Sequence, residues 1–365
     1  MLYEKIGAKE RRTGMSRVVV GMSGGVDSAV TAYLLKEAGH EVVGVTVKTW
    51  TGEDSRCCEM SDARSMVLRM GVSHYARSAA AEFGARVVRP FIGDYLSGRT
   101  PNPCVECNPH VKWAALLSAA DELGAEYVAT GHYARVEKLA NGRFSIRRGA
   151  SLRKDQSYVL YKLTQEQLAR TILPLGGYEK EEVRAIAARA GLAAAQKPDS
   201  QEICFVTEGS YADFIERETE AELPPPGNFV DEEGNILGVH KGIAHYTVGQ
   251  RKGLGLALGV PAYVTKIDAE KNEVVVAGES SLYRDSVRCG DLHFMSVTPP
   301  AADEKIRAFV KIRYNHKGEM ATLEKNDGDT LTAVFDVPVR AATPGQSAVF
   351  YDEEGYIIGG GKIKS

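Results

Sequence analysis

The sequence contains no apolar run that approaches the ~18–20 residues of a membrane-spanning helix. Its opening, MLYEKIGAKERRTG, is polar and lacks the apolar centre of a secretion signal. Both absences lead us to expect a cytoplasmic protein with no membrane attachment. Met15 follows directly, so residues 1–14 read as an extension or a misplaced start. Strong charge of one sign is also missing. A net charge of −3 argues against nucleic-acid binding over the whole surface and leaves local patches. Three clusters qualify: Arg147, Arg148, Arg153 and Lys154; Arg251 and Lys252; Lys311, Arg313 and Lys317. Each also reads as solvated charge on loops. Neither an internal repeat nor a low-complexity tract is present. Cysteine is sparse, six in 365 residues. In a reducing compartment so few cysteines point to chemistry or metal more than to structural disulfides.

The remaining composition, 44% apolar and 25% charged, is that of a globular protein. The length exceeds one ordinary core and predicts two or three domains. RVVVG reads as a buried strand, MSGGVDS as a Gly-rich turn, AVTAYLLKEAG as a helix stopped by Gly39, and EVVGVTVK as a second strand. This β-loop-α-β order predicts a parallel sheet. HVKWAALLSAADELG reads as a helix and EYVATGHYA as a further strand. Thr164 to Leu192 reads as mostly helical with a break at Gly176 and Gly177. Residues 70–90 have no clear placement. We expect this α/β region to span 1–206. A Gly- and Pro-rich, β-rich module should follow over 207–284. An antiparallel barrel or sandwich with period-two alternation should close the chain over 285–365.

Ser23–Ser28, SGGVDS, falls where a strand meets a helix. Glycines let backbone N–H groups crowd an anion, and a helix N-terminus favours negative charge. The loop lacks the lysine of a Walker motif. It resembles the SGGxDS loop of ATP pyrophosphatases, which split ATP between the α and β phosphates. The resemblance implies that Gly24 and Gly25 cradle pyrophosphate, Ser23 and Ser28 donate hydroxyls, and Asp27 helps hold Mg²⁺. An ordinary Gly-rich turn is the plain alternative.

TPNPCVECN holds Cys104 and Cys107 in a C-x-x-C that suits half a zinc site, a redox switch, an iron–sulfur anchor or a nucleophile. Functional loops gather at the carboxyl ends of parallel strands. If KPDSQEICFV shares that edge, Cys104, Cys107 and Cys204 face the ATP. Taken alone, Cys204 in the apolar ICFV reads as a buried structural cysteine.

Eight segments carry a wider resemblance: GMSGGVDS, GRTPNPCVECN, ATGHYAR, KDQSYVLY, KPDSQEICF, YTVGQRKGLG, KIRYN and TPGQSAVFY. In this order they resemble the bacterial tRNA-specific 2-thiouridylases along nearly the whole chain. The fold implied is α/β: a Rossmann-like parallel-sheet ATP pyrophosphatase domain, a small β-rich central domain and a C-terminal antiparallel β-barrel. The implied reaction adenylates the wobble uridine, position 34, of tRNAs for Lys, Glu and Gln, and then transfers sulfur from a persulfide. The persulfide carrier matches Cys204 and its partner Cys107, with a disulfide forming between them. ATP would meet Gly21, Met22, Ser23, Gly24, Gly25, Val26, Asp27, Ser28, Val47 and Gly131. Asn102 and Pro103 would meet the target base. His132, Lys154, Asp155, Gln156, Arg313, Tyr314 and Gln346 would contact tRNA. The implied partners are tRNA and a cysteine desulfurase or sulfur-relay protein, with the chain a monomer.

Cys104 departs from family members that carry Asp there, which puts a carboxylate base in doubt. Three thiols, Cys104, Cys107 and Cys204, would also suit a [4Fe–4S] cluster with one open iron. A zinc site recruiting Cys57 and Cys58 is a third reading, and Cys289 reads as bland. From other classes, a non-catalytic tRNA-binding or sulfur-relay protein, or a pyrophosphatase acting on a small metabolite, remain.

Overall fold

The computed structural model describes residues 15–50, 60–192, 203–219, 223–301, 304–326 and 328–364. The expected 1–14 extension and the Cys57–Cys58 pair lie outside these residues.

The chain opens with β1 (Arg17–Gly21), β2 (Glu41–Lys48), β3 (Ser73–Ser78) and β4 (Tyr127–Ala129), then a hairpin of β5 (Ala134–Lys138) and β6 (Phe144–Arg148), then β7 (Thr171–Ile172). Strands β3-β2-β1-β4-β7 form one sheet in which every pairing is parallel. Val18, Val19 and Val20 are fully buried. Val18 and Val20 pack with Ala32, Leu35, Ala63 and Val67 on one face, and Val19 packs with Leu116 and Ala120 on the other. Both faces are covered, which is why RVVVG is an unbroken apolar run rather than an alternating one. Strand order reverses between β1 and β4, the position where open α/β sheets bind ligands.

The Val26–Glu37 helix ends at Ala38, and Gly39 follows at φ +85°, the left-handed stop that its sequence position predicts. The helix expected from His110 starts earlier. Helical structure runs from Pro103 through a π-helical stretch, Asn108–Trp113, into Ala114–Glu122. Residues 70–90 contribute β3, a short helix and a second π-helical stretch, Gly84–Val88. The segment Thr164–Leu192 is less helical than its pattern suggests. It contains β7 and a 3₁₀ turn, Pro174–Gly177. A Cβ on Gly176 would sit 2.0 Å from the Ala134 carbonyl oxygen, so the break is a site of close backbone approach.

The central sheet contains β8 (Gly227–Val230), β9 (Ile236–His240), β10 (Tyr263–Asp268) and β11 (Glu273–Ala277), in the order β10-β11-β8-β9 around Phe229, Val264 and Val274. The last six strands are β12 (Tyr283–Phe294), β13 (Lys305–Lys311), β14 (Glu319–Lys325), β15 (Thr330–Arg340), β16 (Ser347–Tyr351) and β17 (Ile357–Ile363). They close into an antiparallel barrel, β12-β15-β14-β13-β16-β17. A barrel this small is filled by side chains, here Val287, Val310, Leu323 and Phe350.

Candidate nucleotide and sulfur-transfer site

The phosphate loop leaves β1 at the switch point. Met22 is buried, and its N–H donates to the Val45 carbonyl at 2.8 Å while its carbonyl accepts from Thr46 Oγ1 at 2.9 Å. These bonds fix the start of the loop to β2. Gly24 is at φ +82°. Gly25 caps the following helix with no side-chain bond, so the first helical N–H groups keep their outward donor capacity. Ser23 and Ser28 hydroxyls lie 3.3 Å apart, and Ser28 Oγ donates to the Gly25 carbonyl at 2.9 Å. Val26 and Val47 are buried.

Gly131 closes over this loop. A Cβ there would stand 2.8 Å from the Asp27 carbonyl carbon and 3.0 Å from Ser28 N. Gly21 is likewise pressed by Leu116, 3.1 Å from where its Cβ would be. Asp27 is not an open carboxylate. Lys180 Nζ donates to both of its oxygens at 2.9 Å, and the Tyr133 hydroxyl donates to Oδ1 at 2.8 Å. Sequence reading missed Lys180 and Tyr133. Tyr133 lies in the quoted ATGHYAR and could have been suspected from it, whereas Lys180 carries no local signal.

Cys104 and Cys107 sit on the Pro103–Cys107 turn, which Asn102 caps by accepting from Cys104 N–H at 3.1 Å. Val105 anchors the turn in the core, leaving Cys104 exposed and Cys107 half-buried. Cys204 is also half-buried. The buried members of ICFV are Phe205 and Val206, and the Phe205 ring meets Phe83, Phe91 and Phe214 at 5.1–5.4 Å. The reading of Cys204 as a core cysteine therefore does not hold. That role falls to Cys289, whose thiol burial pushes up to about 12. Among the described residues no three His, Cys, Asp or Glu side chains are arranged to hold a metal ion.

Helical structure from Pro103 to Glu122 joins the two centres, because Leu116 presses on Gly21 while Cys107 lies nine residues before it. A cleft of about 260 Å³ opens beside Asn102, Pro103 and Glu106, walled by Tyr161 and by Ser347 and Lys362 of the barrel.

The expected tRNA residues fall into two groups. Lys154 and Tyr314 are half-buried. Tyr314 is raised to about 12, by burial first and then by Asp155 and Cys104, which places it near the cysteine turn. Asp155, by contrast, is buried and turned inward. Its oxygens accept from Gly149 N–H (3.1 Å), Ser157 N–H (3.2 Å) and Ser157 Oγ (2.9 Å), so it shapes the KDQ turn instead of facing a ligand. Gln156 Oε1 accepts from Tyr133 N–H at 3.0 Å, joining that turn to the Gly131 loop. His132, 2.8 Å from Thr130 Oγ1, is held well below its ordinary value by burial and by Lys112, and is neutral. Arg313 spends one nitrogen on the Ala341 carbonyl, 2.5 Å away. Gln346 Nε2 donates to the Thr100 carbonyl at 2.8 Å. Of the three basic clusters, Lys311 is buried, whereas Arg153, Arg251, Lys252 and Lys317 are exposed.

A doubly wound sheet with an SGGxDS loop at its switch point, followed by a β-rich module and a closed barrel, defines a nucleotide-binding domain of the ATP pyrophosphatase type carrying two β appendages. Family profiles match in the same order: a tRNA methyl transferase HUP domain over residues 16–208, a tRNA methyl transferase PRC-barrel domain over 212–278, and an aminomethyltransferase beta-barrel domain over 284–363. The chain is 50% identical over 359 residues to the tRNA-specific 2-thiouridylase MnmA of Lachnoclostridium phytofermentans, covering 96% of this chain and 99% of the relative. It is 46% identical to that of Acetivibrio thermocellus, covering 95% and 99%. A solved NH3-dependent NAD synthetase from Campylobacter jejuni overlaps 55% of this chain and 76% of its own at 18% identity and TM-score 0.33, too distant to bear on the chemistry. The chain belongs to the tRNA-specific 2-thiouridylase family.

Proposed function

We propose that the protein is a tRNA 2-thiouridylase using ATP and a cysteine persulfide. The observation that carries this reading is the helical run Pro103–Glu122, with the cysteine turn at one end and Leu116 against Gly21, where β1 leads into the phosphate loop. It ties an ATP-type loop to a turn with one exposed thiol, Cys104, and one half-buried thiol, Cys107.

In the proposed reaction the 2-oxo oxygen of uridine 34 attacks the α-phosphorus of ATP, and pyrophosphate leaves. Gly24, Gly25 and the N–H groups after Gly25 receive the pyrophosphate charge, with Ser23 and Ser28 donating hydroxyls. One carboxylate with substrate phosphates is a common Mg²⁺ arrangement, and Asp27 fits it when Lys180 turns to the phosphates. Bound there, Mg²⁺ would neutralise phosphate charge. The terminal sulfur of a Cys204 persulfide attacks C2. Cys107 thiolate attacks Cys204 Sγ, and the S–S bond to the transferred sulfur breaks. AMP departs with the former 2-oxo oxygen, and an external thiol reduces the Cys107–Cys204 disulfide.

The cleft at Asn102 and Pro103 is the proposed seat of the base, and a splayed anticodon nucleotide is the form in which RNA bases are usually read. Tyr314, His132, Lys154, Gln156, Arg313 and Gln346 are the proposed tRNA contacts, while Asp155 acts by shaping the KDQ turn. We further propose that the chain works as a cytoplasmic monomer on tRNAs for Lys, Glu and Gln, supplied with sulfur by a desulfurase or relay protein. The test is 2-thiouridine content, by nucleoside mass spectrometry, of unmodified tRNA incubated with ATP, Mg²⁺ and a persulfide donor. Full activity of a Cys204→Ser chain would refute the reading.

A further inference from the structure

The turn bearing Cys104 and Cys107 also bears Glu106, and Glu106 is tied to the barrel through a single lysine. Lys162 Nζ donates to Glu106 Oε1 at 2.6 Å and to Asp291 Oδ2 at 2.6 Å. The lysine side chain is only 11% exposed. Asp291 belongs to β12 and stands at φ +52°, in the left-handed region that side-chain-bearing residues avoid. The β12–β17 pairing slips around it, between Gly290 and His293. At this turn the Asp291 carboxylate meets the Lys162 ammonium. Burial opposes the charge on Lys162, but Glu106 and Asp291 outweigh it and raise its pKa above the ordinary value.

A second barrel contact grips the other end of the same segment. Thr100 N–H donates to the Pro344 carbonyl at 2.9 Å, and the Thr100 carbonyl accepts from Gln346. The cysteine turn is therefore held by the barrel before Asn102 and again one residue before Cys107.

We propose that Lys162 is a positioning residue for sulfur transfer, setting the cysteine turn against the barrel through Glu106 and Asp291. The inference rests on the reading of Cys107 as a reacting thiol. Without the ammonium, two carboxylates would share one vacated site and repel. The turn would then lose its register against a base seated beside the barrel. The phosphate loop, joined to the far end of the helical run, would be little disturbed.

The experiment compares wild type, Lys162→Met, Lys162→Arg and Lys162→Met/Glu106→Gln/Asp291→Asn in the full chain. Two half-reactions are read separately: the tRNA-dependent burst of pyrophosphate without a persulfide donor, and 2-thiouridine formation with one. For Lys162→Met we expect the pyrophosphate burst and the KM for tRNA to stay near wild type. Thiolation should fall on the order of 10–100-fold, as a misplaced reacting group does. Lys162→Arg, and the triple variant relieved of repulsion, should recover part of that loss. Unchanged thiolation in Lys162→Met overturns the proposal. So does an equal loss in both half-reactions with a lowered unfolding midpoint, which would make Lys162 merely structural. A wild-type chain that forms no 2-thiouridine would instead overturn the functional reading beneath it.

Discussion

Lys180 Nζ lies 2.9 Å from each carboxylate oxygen of Asp27, across 153 residues of sequence, and its side chain is 6% exposed. The pair closes the phosphate loop against the first turn of the Lys180–Arg189 helix. Replacing Lys180 with Met removes the ammonium paired with Asp27 and leaves a part-buried carboxylate bonded to the Tyr133 hydroxyl. A loss of about 1–3 kcal/mol in stability is expected, since a charged group then keeps its desolvation without its partner. Urea unfolding measures it. ATP affinity should fall as well, read by calorimetry, and an unchanged midpoint together with unchanged affinity would refute both expectations.

Gly131 should tolerate no side chain. An alanine Cβ would meet Asp27 Cβ at 2.9 Å and the Asp27 carbonyl carbon at 2.8 Å, and the contacts include backbone, which has no rotamer to change. Gly131→Ala should destabilise by about 1–3 kcal/mol, as overpacking does. It should also reduce the pyrophosphate burst. A variant with wild-type burst and midpoint would contradict the close approach.

The four described cysteines should separate by reactivity. Iodoacetamide at pH 8 should label exposed Cys104 readily and leave buried Cys289 unmodified until unfolding, with peptide mass spectrometry as the readout. Because the Cys289 pKa is raised to about 12, the folded state keeps that proton while an unfolded thiol, with pKa ~8.5, loses it. Its contribution to stability is thus complete below about pH 8.5 and declines as pH rises towards 12. Cys107→Ser and Cys204→Ser should abolish thiolation with tRNA affinity within a few-fold. Cys104→Ser should be mild; severe loss there would revive the cluster reading.

Binding of tRNA through exposed cations should weaken with salt. Neutralising Arg153 or Lys317, both exposed, should each lower the slope of log K against log salt by about 1 if it meets a phosphate. Lys311 belongs to the same sequence cluster as Lys317, but it is buried with its pKa lowered by desolvation. Its removal should register in stability and not in the salt slope. Filter binding across a salt series distinguishes the two.

These contrasts indicate which parts of the molecule could be read from its sequence. The phosphate loop is legible because its Gly-rich turn occupies consecutive residues where a strand ends and a helix begins. The barrel is legible because its alternation repeats over several strands. β7 is not, because two residues cannot display a period. The Lys180–Asp27 and Lys162–Asp291 pairs join residues 153 and 129 positions apart, and nothing local distinguishes those lysines from solvated ones. Asp155 shows the opposite failure: a charged residue in a signature segment suggested a ligand contact, and the fold turns it inward to bond its own turn.

The bond between Gln346 and Thr100 spans 246 residues, and a Cβ on Gly345 would stand 2.8 Å from Thr100 N. The barrel is thus part of the wall on which the cysteine segment rests. A chain truncated after the parallel-sheet region would expose the Thr100 amide and carbonyl to water and leave Glu106 and Lys162 without their distal anchor. Such a fragment could keep its nucleotide loop and still hold its cysteines wrongly. Grafting this sulfur chemistry onto another scaffold would require transplanting both ends of the chain together.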